Sequence, residues 1–294
     1  AIHADEMDAR EYVQRVVRKE LSDPVITAQL ANGFAIRAVL DDYLKDDQES
    51  RGHAVLMEWL NPRYAPRARP RRRARVRVAS VQYRMRLIRD FETFAKHTEF
   101  FVDAASEYRA DFLLFPELLT NQLLALLKPD RPGAAARELH QFTDAYLEHF
   151  SRLAIRFNVN IIGGSHLTVE DERLYNIAYL FRRDGSIEKQ YKIHITPGEQ
   201  RWWGVAPGNE VKVFDTDRGK IAIAICYDIE FPEYARRAKQ LGARILFVPY
   251  NTDLRSSHMR VRTCAQARCI ENHIYVVSSG MCGNLPIVAG ADVH

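Results

Sequence analysis

Three reactive side chains stand where apolar runs give out. Glu117 follows "FLLFP", Lys192 lies in "QYKIH", and Cys226 closes "IAIAIC". A cysteine acts as a nucleophile through its thiolate and needs a base nearby. A carboxylate serves as that base when its surroundings raise its pKa. A buried lysine steadies an anion forming on a carbonyl oxygen. Acid, cation and thiol together therefore suggest acyl transfer through a thioester, with Lys192 favouring the Cys226 thiolate. Taken singly, each has a plainer reading. Glu117 can cap the following segment, Lys192 can be a hairpin surface lysine, and Cys226 can be a packed core thiol. Spacing does not by itself bring them together.

The elements around them alternate. "VRVASVQY" (76–83) reads as a strand, followed by a long helix through "DFETFAKHTEFFVDAASEYRA". "ADFLLFPELL" is a buried strand ending at Pro-Glu, "ELHQFTDAYLEHFSRLAIRFN" a helix, and "VNIIGGSHL" a strand. Two hairpins are expected, one turned at Asp184-Gly185 and one at Asp217–Gly219. Next come a helix in "EYARRAKQLGA" stopped by Gly242, a strand in "RILFVPYN", a helix opened by serine in "SSHMRVRTCAQARCIENH", and a strand in "IYVVSSG". Strands alternating with helices, plus hairpins, predict an α/β layered fold with a mixed sheet, whose strand ends gather the site.

Composition bounds the rest. Of 294 residues, 47% are hydrophobic and 27% charged, as in a globular chain. No apolar run nears the ~20 residues that span a bilayer, so no membrane partner is expected. The net charge of +4 is concentrated in "RYAPRARPRRRARVRV" (63–78). Its prolines and the near-neutral remainder favour an interdomain linker (63–75) over a nucleic-acid surface. The four cysteines form no CxxC pair and no zinc spacing, which points to a reducing cytoplasm and no metal. Before the linker, residues 1–62 read as a helix ended near Asp23-Pro24, a second short helix, and two strands flanking a polar loop.

Five stretches, in order, resemble the nitrilase (carbon–nitrogen hydrolase) superfamily: "VASVQ", "LLFPELL", "YKIHITPGE", "AIAICYDIEFPEYAR" and "QARCIENHIYVV". The resemblance covers about residues 76–284. It implies a four-layer αββα sandwich, with Glu117 as general base, Lys192 as oxyanion stabiliser and Cys226 as nucleophile. It further implies that Glu199, in "TPGEQ", positions the lysine, that the Tyr227 N–H completes the oxyanion hole, and that no cofactor is used. Tyr250 and Asn251, at another strand end, are candidates to line the pocket. Asp228, Glu230 and Glu233 read as network or capping acids; Arg268, Glu271 and Asn272 read as a packing helix; Trp202 and Trp203 suit either a pocket wall or an interface. The implied substrate is a small amide, N-carbamoyl compound or nitrile, and the implied assembly a homodimer or larger.

Residues 1–62 are similar to the C-terminal strands and loop of GNAT-type N-acetyltransferases, without that family's glycine-rich pyrophosphate segment. The hydrolase-like part (76–294) stops earlier than its relatives, so the chain is expected to be an internal piece of a two-domain protein. Three other readings compete. One is a fusion whose working activity is acetyl transfer, another a binding module on an inactive hydrolase fold. The third is a Cys–His hydrolase using His194 or His258 as base.

Overall fold

The computed structural model describes residues 6–43, 46–59, 75–127, 132–283, 285–288 and 291–293. The chain divides into two compact units, Ala1–Arg73 and Ala74–His294. The arginine-rich linker lies almost wholly outside the described residues.

In the first unit, helix α1 (Ala9–Val17) is opened by Asp8, whose side chain accepts from Glu11 N. Helix α2 (Pro24–Ala31) begins at the Asp23-Pro24 step that the sequence suggested as a stop. Asp23 caps it by accepting from Val25 N and Ile26 N, and proline at the first helical position sacrifices no bond. Strands β1 (Phe34–Leu40) and β2 (Ala54–Trp59) pair antiparallel. Val13, Val16 and Ile26 form the small core.

The second unit carries β3 (Val78–Ser80), α3 (Phe91–Glu107), β4 (Phe112–Leu114), α4 (Pro132–Glu138), α5 (Thr143–Phe157), β5 (Asn160–Glu170), β6 (Arg173–Phe181) and β7 (Ile187–Tyr191). It continues with β8 (Val213–Thr216), β9 (Gly219–Ile223), α6 (Pro232–Gln240), β10 (Ile245–Tyr250), α7 (Arg255–Asn272), β11 (Tyr275–Gly280), β12 (Leu285–Val288) and β13 (Ala291–Val293). One sheet runs β3-β4-β5-β6-β7, parallel across its first three strands and antiparallel thereafter. The other runs β11-β10-β9-β8, with only β8 antiparallel. Both expected hairpins, β6-β7 and β8-β9, are present.

Strand alternation sets the layers. Leu113, Ile161, Ile177 and Phe181 pack with Phe94, Val102, Tyr146 and Phe150 of α3 and α5. Their neighbours Phe112, Leu114, Ile162 and Leu180 face the second sheet, where the Phe112 and Phe247 rings meet at 5.3 Å. Ala235 and Ala238 of α6 and Val261 and Ala265 of α7 cover the second sheet. The order helix, sheet, sheet, helix matches the expected architecture. The serine expected to open α7 does not cap it; the capping position is Leu254, without a side-chain bond.

Candidate functional site

Glu117 sits three residues beyond β4 and is 2% exposed. The turn that aims it is built by its neighbours. Leu118 adopts a left-handed φ of 54°, and Leu118 N donates to Ser165 Oγ at 3.0 Å. Strand β5 is bulged between Ile162 and Ser165, and a Cβ on Gly164 would lie 2.0 Å from the Pro116 carbonyl oxygen. Only glycine permits that approach, at its φ of 75°.

Lys192 follows β7 and is also 2% exposed. Its Nζ donates to Glu117 Oε1 at 2.8 Å and to Glu199 Oε2 at 2.7 Å. Glu199 opens a π-type turn, Glu199–Trp203. Its Oε2 accepts from Thr196 N and Oγ1 at 3.0 and 2.9 Å, and Glu199 N donates back to Thr196 Oγ1 at 3.3 Å. This reciprocal T-x-x-E box locks the carboxylate toward Lys192. Sequence reasoning passed over Thr196, although that spacing was visible.

Asn176, in the interior of β6 and 1% exposed, was also passed over. Its Nδ2 donates to Glu117 Oε1 at 3.1 Å and Glu199 Oε1 at 2.9 Å. A polar side chain inside the apolar "LYNIAYLF" was the available signal, since burial of an amide demands partners.

Cys226 stands at the end of the β9 run with φ 45°, a left-handed conformation that costs a non-glycine residue about 1–2 kcal/mol. Its thiol donates to the Asn251 carbonyl at 3.6 Å and faces the Glu117 carboxylate within hydrogen-bonding range. Asn251 N in turn donates to Glu117 Oε2 at 2.9 Å, so one backbone unit touches both groups. The turn is held from three sides. Buried Asp228 accepts from Ile225 N (3.1 Å), Ile193 N (3.2 Å) and His194 N (2.8 Å), tying the cysteine turn to the segment after Lys192. Arg268 of α7 donates to the carbonyls of Ile229 and Glu230 at 3.1 and 2.9 Å. Asp228 thus serves as the network acid expected, and Arg268 is the structural anchor.

The electrostatics distribute charge unevenly. Burial raises the Glu117 pKa; Lys192 opposes this and Glu199 adds to it. Burial disfavours the Lys192 ammonium, but Glu117 and Glu199 outweigh it and hold the lysine protonated. Burial acts against the Glu199 carboxylate, yet Lys192, Thr196 and Asn176 keep it below its ordinary value. For Cys226, Lys192 favours the thiolate as expected but is outweighed. Burial and the Glu117 carboxylate push the thiol well up, and Lys192 offsets only part. The resting group is a thiol, and its reactivity depends on a base.

Tyr227 is second in a 3₁₀ turn, Cys226–Glu230, where its N–H has no carbonyl partner within the turn. Its ring packs edge-on against Phe231. Tyr250 OH lies 3.0 Å from His258 Nδ1, and Tyr250 lines a cavity of about 460 Å³ with Thr252, Arg255 and Ser278, whose lining does not include Cys226. His194 Nδ1 lies 2.9 Å from Asp228 Oδ1, and its ring stacks on Phe231. Among the described residues neither histidine bonds to Cys226, which removes the geometry that a Cys–His pair requires. Trp203 packs against the core between the first sheet of the second unit and helices α3 and α5, whereas Trp202 is 63% exposed beneath Arg201. Among the described residues no three His, Cys, Asp or Glu side chains gather to hold a metal, and no helix is long and apolar enough to cross a membrane.

A paired-sheet α/β sandwich with Glu, Lys and Cys converging at its strand ends defines the nitrilase class of fold. Residues 77–291 match the carbon-nitrogen hydrolase family, and the chain belongs to that family. It is 51% identical to the probable hydrolase YhcX of Bacillus subtilis over 295 residues, 99% of this chain and 58% of that protein. It thus spans little more than half of that relative. It is 31% identical over 196 residues to the 2-oxoglutaramate amidase of Bacillus subtilis, covering 65% of this chain and 71% of that one. Among solved structures it resembles Nit3 of Saccharomyces cerevisiae (TM-score 0.59, 22% identity, 74% of this chain and 79% of that one). It also resembles a carbon-nitrogen hydrolase of Helicobacter pylori (TM-score 0.63, 22% identity, 74% and 77%). The family match begins at residue 77, and the acetyltransferase likeness of residues 1–62 rests on the sequence resemblance alone.

Proposed function

We propose that the second unit hydrolyses the C–N bond of a small amide through a Cys226 thioester. The observation that carries this is the bond pattern of Lys192. An ammonium has three hydrogens, and two are spent on Glu117 and Glu199. Among the described residues no protein acceptor takes the third, which is left for a carbonyl oxygen beside Cys226.

The steps follow from these contacts. Glu117 takes the thiol proton as sulfur attacks the carbonyl carbon, and the carbonyl electrons move onto oxygen. Lys192 Nζ and the Tyr227 N–H receive that oxyanion. On collapse the C–N bond breaks, and Glu117 returns the proton to the departing nitrogen. Water then attacks the thioester, giving its proton to Glu117, and the C–S bond breaks with the thiol restored. Glu199 holds the lysine charged and in place, and Asn251 supplies backbone contacts to acid and thiol rather than a substrate contact. Tyr250 shapes the adjoining wall.

Among substrates, an amide ranks above a nitrile or N-carbamoyl compound, because relatives named for amidase activity, including the 2-oxoglutaramate amidase, align with this chain. The family resemblance adds a homodimer or larger assembly working in the cytoplasm, to be read by sedimentation and fractionation. The acetyltransferase-like reading of residues 1–62 makes the first unit the end of a separate domain without a role in the hydrolysis.

The test is a trapped intermediate. With 2-oxoglutaramate, an N-carbamoyl amino acid and a nitrile offered in turn, intact-mass measurement under acid quench should find an acyl adduct on Cys226 with the amide. Cys226→Ala should show neither adduct nor turnover. Turnover surviving in Cys226→Ala sinks the mechanism.

A further inference from the structure

The inference rests on the thioester mechanism above and concerns which oxygen of Glu117 moves the proton. Glu117 Oε1 accepts from both Lys192 Nζ (2.8 Å) and Asn176 Nδ2 (3.1 Å). A carboxylate oxygen has two in-plane acceptor sites, so Oε1 is saturated. Oε2 accepts from Asn251 N at 2.9 Å, the same residue whose carbonyl receives the Cys226 thiol. Oε2 therefore lies on the thiol's side. The orientation of Asn176 is fixed by chemistry: turning its amide over would set Oδ1 against two carboxylates. In this orientation Asn176 Oδ1 is buried with no hydrogen-bond partner among the described residues, so the amide is spent wholly on the two carboxylates.

We propose that Asn176 is a positioning residue that, with Lys192, closes Glu117 Oε1 to protons and so confines proton transfer to Oε2, beside Cys226. A proton landing on Oε1 would have to displace an N–H donor and would face the lysine rather than the reacting atoms. The second bond of Nδ2, to Glu199 Oε1 at 2.9 Å, makes the same amide hold the two carboxylates apart in role. Glu199, with Thr196 and Lys192 on Oε2, stays ionised, and Glu117 alone cycles.

The groups facing Glu117 are Lys192 after β7, Glu199 on the π-type turn and Cys226 after β9. The pairs His194–Asp228 and Tyr250–His258 flank the cysteine turn, and Arg260, bonded to Glu230, lies within electrostatic range of Cys226. Their constancy across variants isolates position 176.

The experiment is the pH dependence of Cys226 alkylation by iodoacetamide, followed by intact mass and peptide mapping on the full chain. In the wild type the rate should fall on the acid side as Glu117 protonates. Asn176→Asp sets a third carboxylate against Glu117. Its acid limb should move up by about one pH unit or more, since a like charge at hydrogen-bonding distance raises a carboxylate's pKa. Asn176→Ala removes one N–H and reopens Oε1. It should shift the limb up by less and lower the plateau rate about tenfold or more, the scale of general-base effects. With an amide that is turned over, that loss should appear in kcat with KM unchanged. Glu117→Gln separates the two ideas. If it leaves the limb in place, the mechanism itself fails. If it abolishes the limb while folded Asn176 variants keep the wild-type profile, the assignment of Asn176 alone is overturned. Failure of both Asn176 variants to fold also overturns it, by giving the residue a packing role.

Discussion

Replacing Lys192 and replacing Glu117 should have unlike consequences. Glu117→Gln keeps the shape and removes the base, but its amide offers one acceptor oxygen where the carboxylate offers two, so either Lys192 and Asn176 or the Asn251 N–H loses its acceptor. Acylation is expected to fall by about 10²–10⁴-fold, with the melting temperature lowered less than in Lys192→Ala. Lys192→Ala leaves Glu117 and Glu199 buried 2.8 and 2.7 Å from a vanished cation. Breaking such a pair costs about 3–5 kcal/mol, so thermal unfolding should shift sharply along with the loss of turnover. Because burial raises the Glu117 pKa, the acid limb of activity should lie above the ordinary glutamate range. The base works ionised, so activity is present above that raised value and lost as pH falls through it; a limb near the ordinary value would contradict this. Cys226 gives a second, purely conformational check. At φ 45°, glycine fits better than alanine. Cys226→Gly should therefore be about 1 kcal/mol more stable than Cys226→Ala in denaturant titration, the reverse of the usual order.

The elements that frame the site are pinned by buried polar groups whose titration should be visible. His166 lies in β5 with its Nδ1 2.8 Å from Thr120 Oγ1 and its Nε2 2.8 Å from Thr143 Oγ1, joining the segment after Glu117 to the start of α5. Burial lowers its pKa to about 3. His149 of α5, 2.8 Å from Thr98 Oγ1 of α3, is lowered to about 4, chiefly by burial. A depressed histidine binds its proton more readily in the unfolded chain. Its stabilising effect is complete above about pH 6.5, the ordinary histidine value, and drains as pH falls toward the folded one. Stability should therefore decline below pH 6.5 by up to about 1.4 kcal/mol per pH unit for each histidine. His166→Gln should flatten that slope in denaturant titrations at pH 7, 6 and 5; an unchanged slope would count against it.

Across the whole second unit, the two sheets are stapled at a charge cluster. Arg218 Nε, from the β8-β9 turn, lies 2.7 Å from Asp111 Oδ1 before β4, and Asn160 Nδ2 of β5 donates to Asp217 Oδ1 at 2.9 Å. Arg183 of the β6-β7 turn donates to the Asp111 carbonyl at 3.0 Å. Asp111 also accepts from Arg77 N at 2.9 Å. Asp111→Asn should lower unfolding stability by about 1–3 kcal/mol, the range for losing charged hydrogen bonds, while leaving alkylation of Cys226 unchanged. A loss of reactivity without a loss of stability would show that the cluster acts on the site instead.

The reactive triplet and the layered class were legible because they follow local rules. Apolar runs of strand length, turn dipeptides such as Asp184-Gly185 and helix periodicity are written in consecutive residues, and Glu117, Lys192 and Cys226 each stand at the end of such a run. The second helix after Asp23-Pro24 was legible, but the first helix ends earlier than expected, at Val17, because the same pair serves a helix stop and a helix start. Only the context decides which. What required the tertiary structure was every pairing across distance. Thr196 with Glu199 lay within reach of a spacing rule. By contrast, no local rule places Asn176 between Glu117 and Glu199, or Asp111 against Arg218. The charge state of Cys226 shows why. The proximity of a lysine suggested a thiolate, yet burial and a carboxylate across the sheet interface reverse the balance. Desolvation and long-range charge belong to the assembled molecule, and a linear chain carries neither.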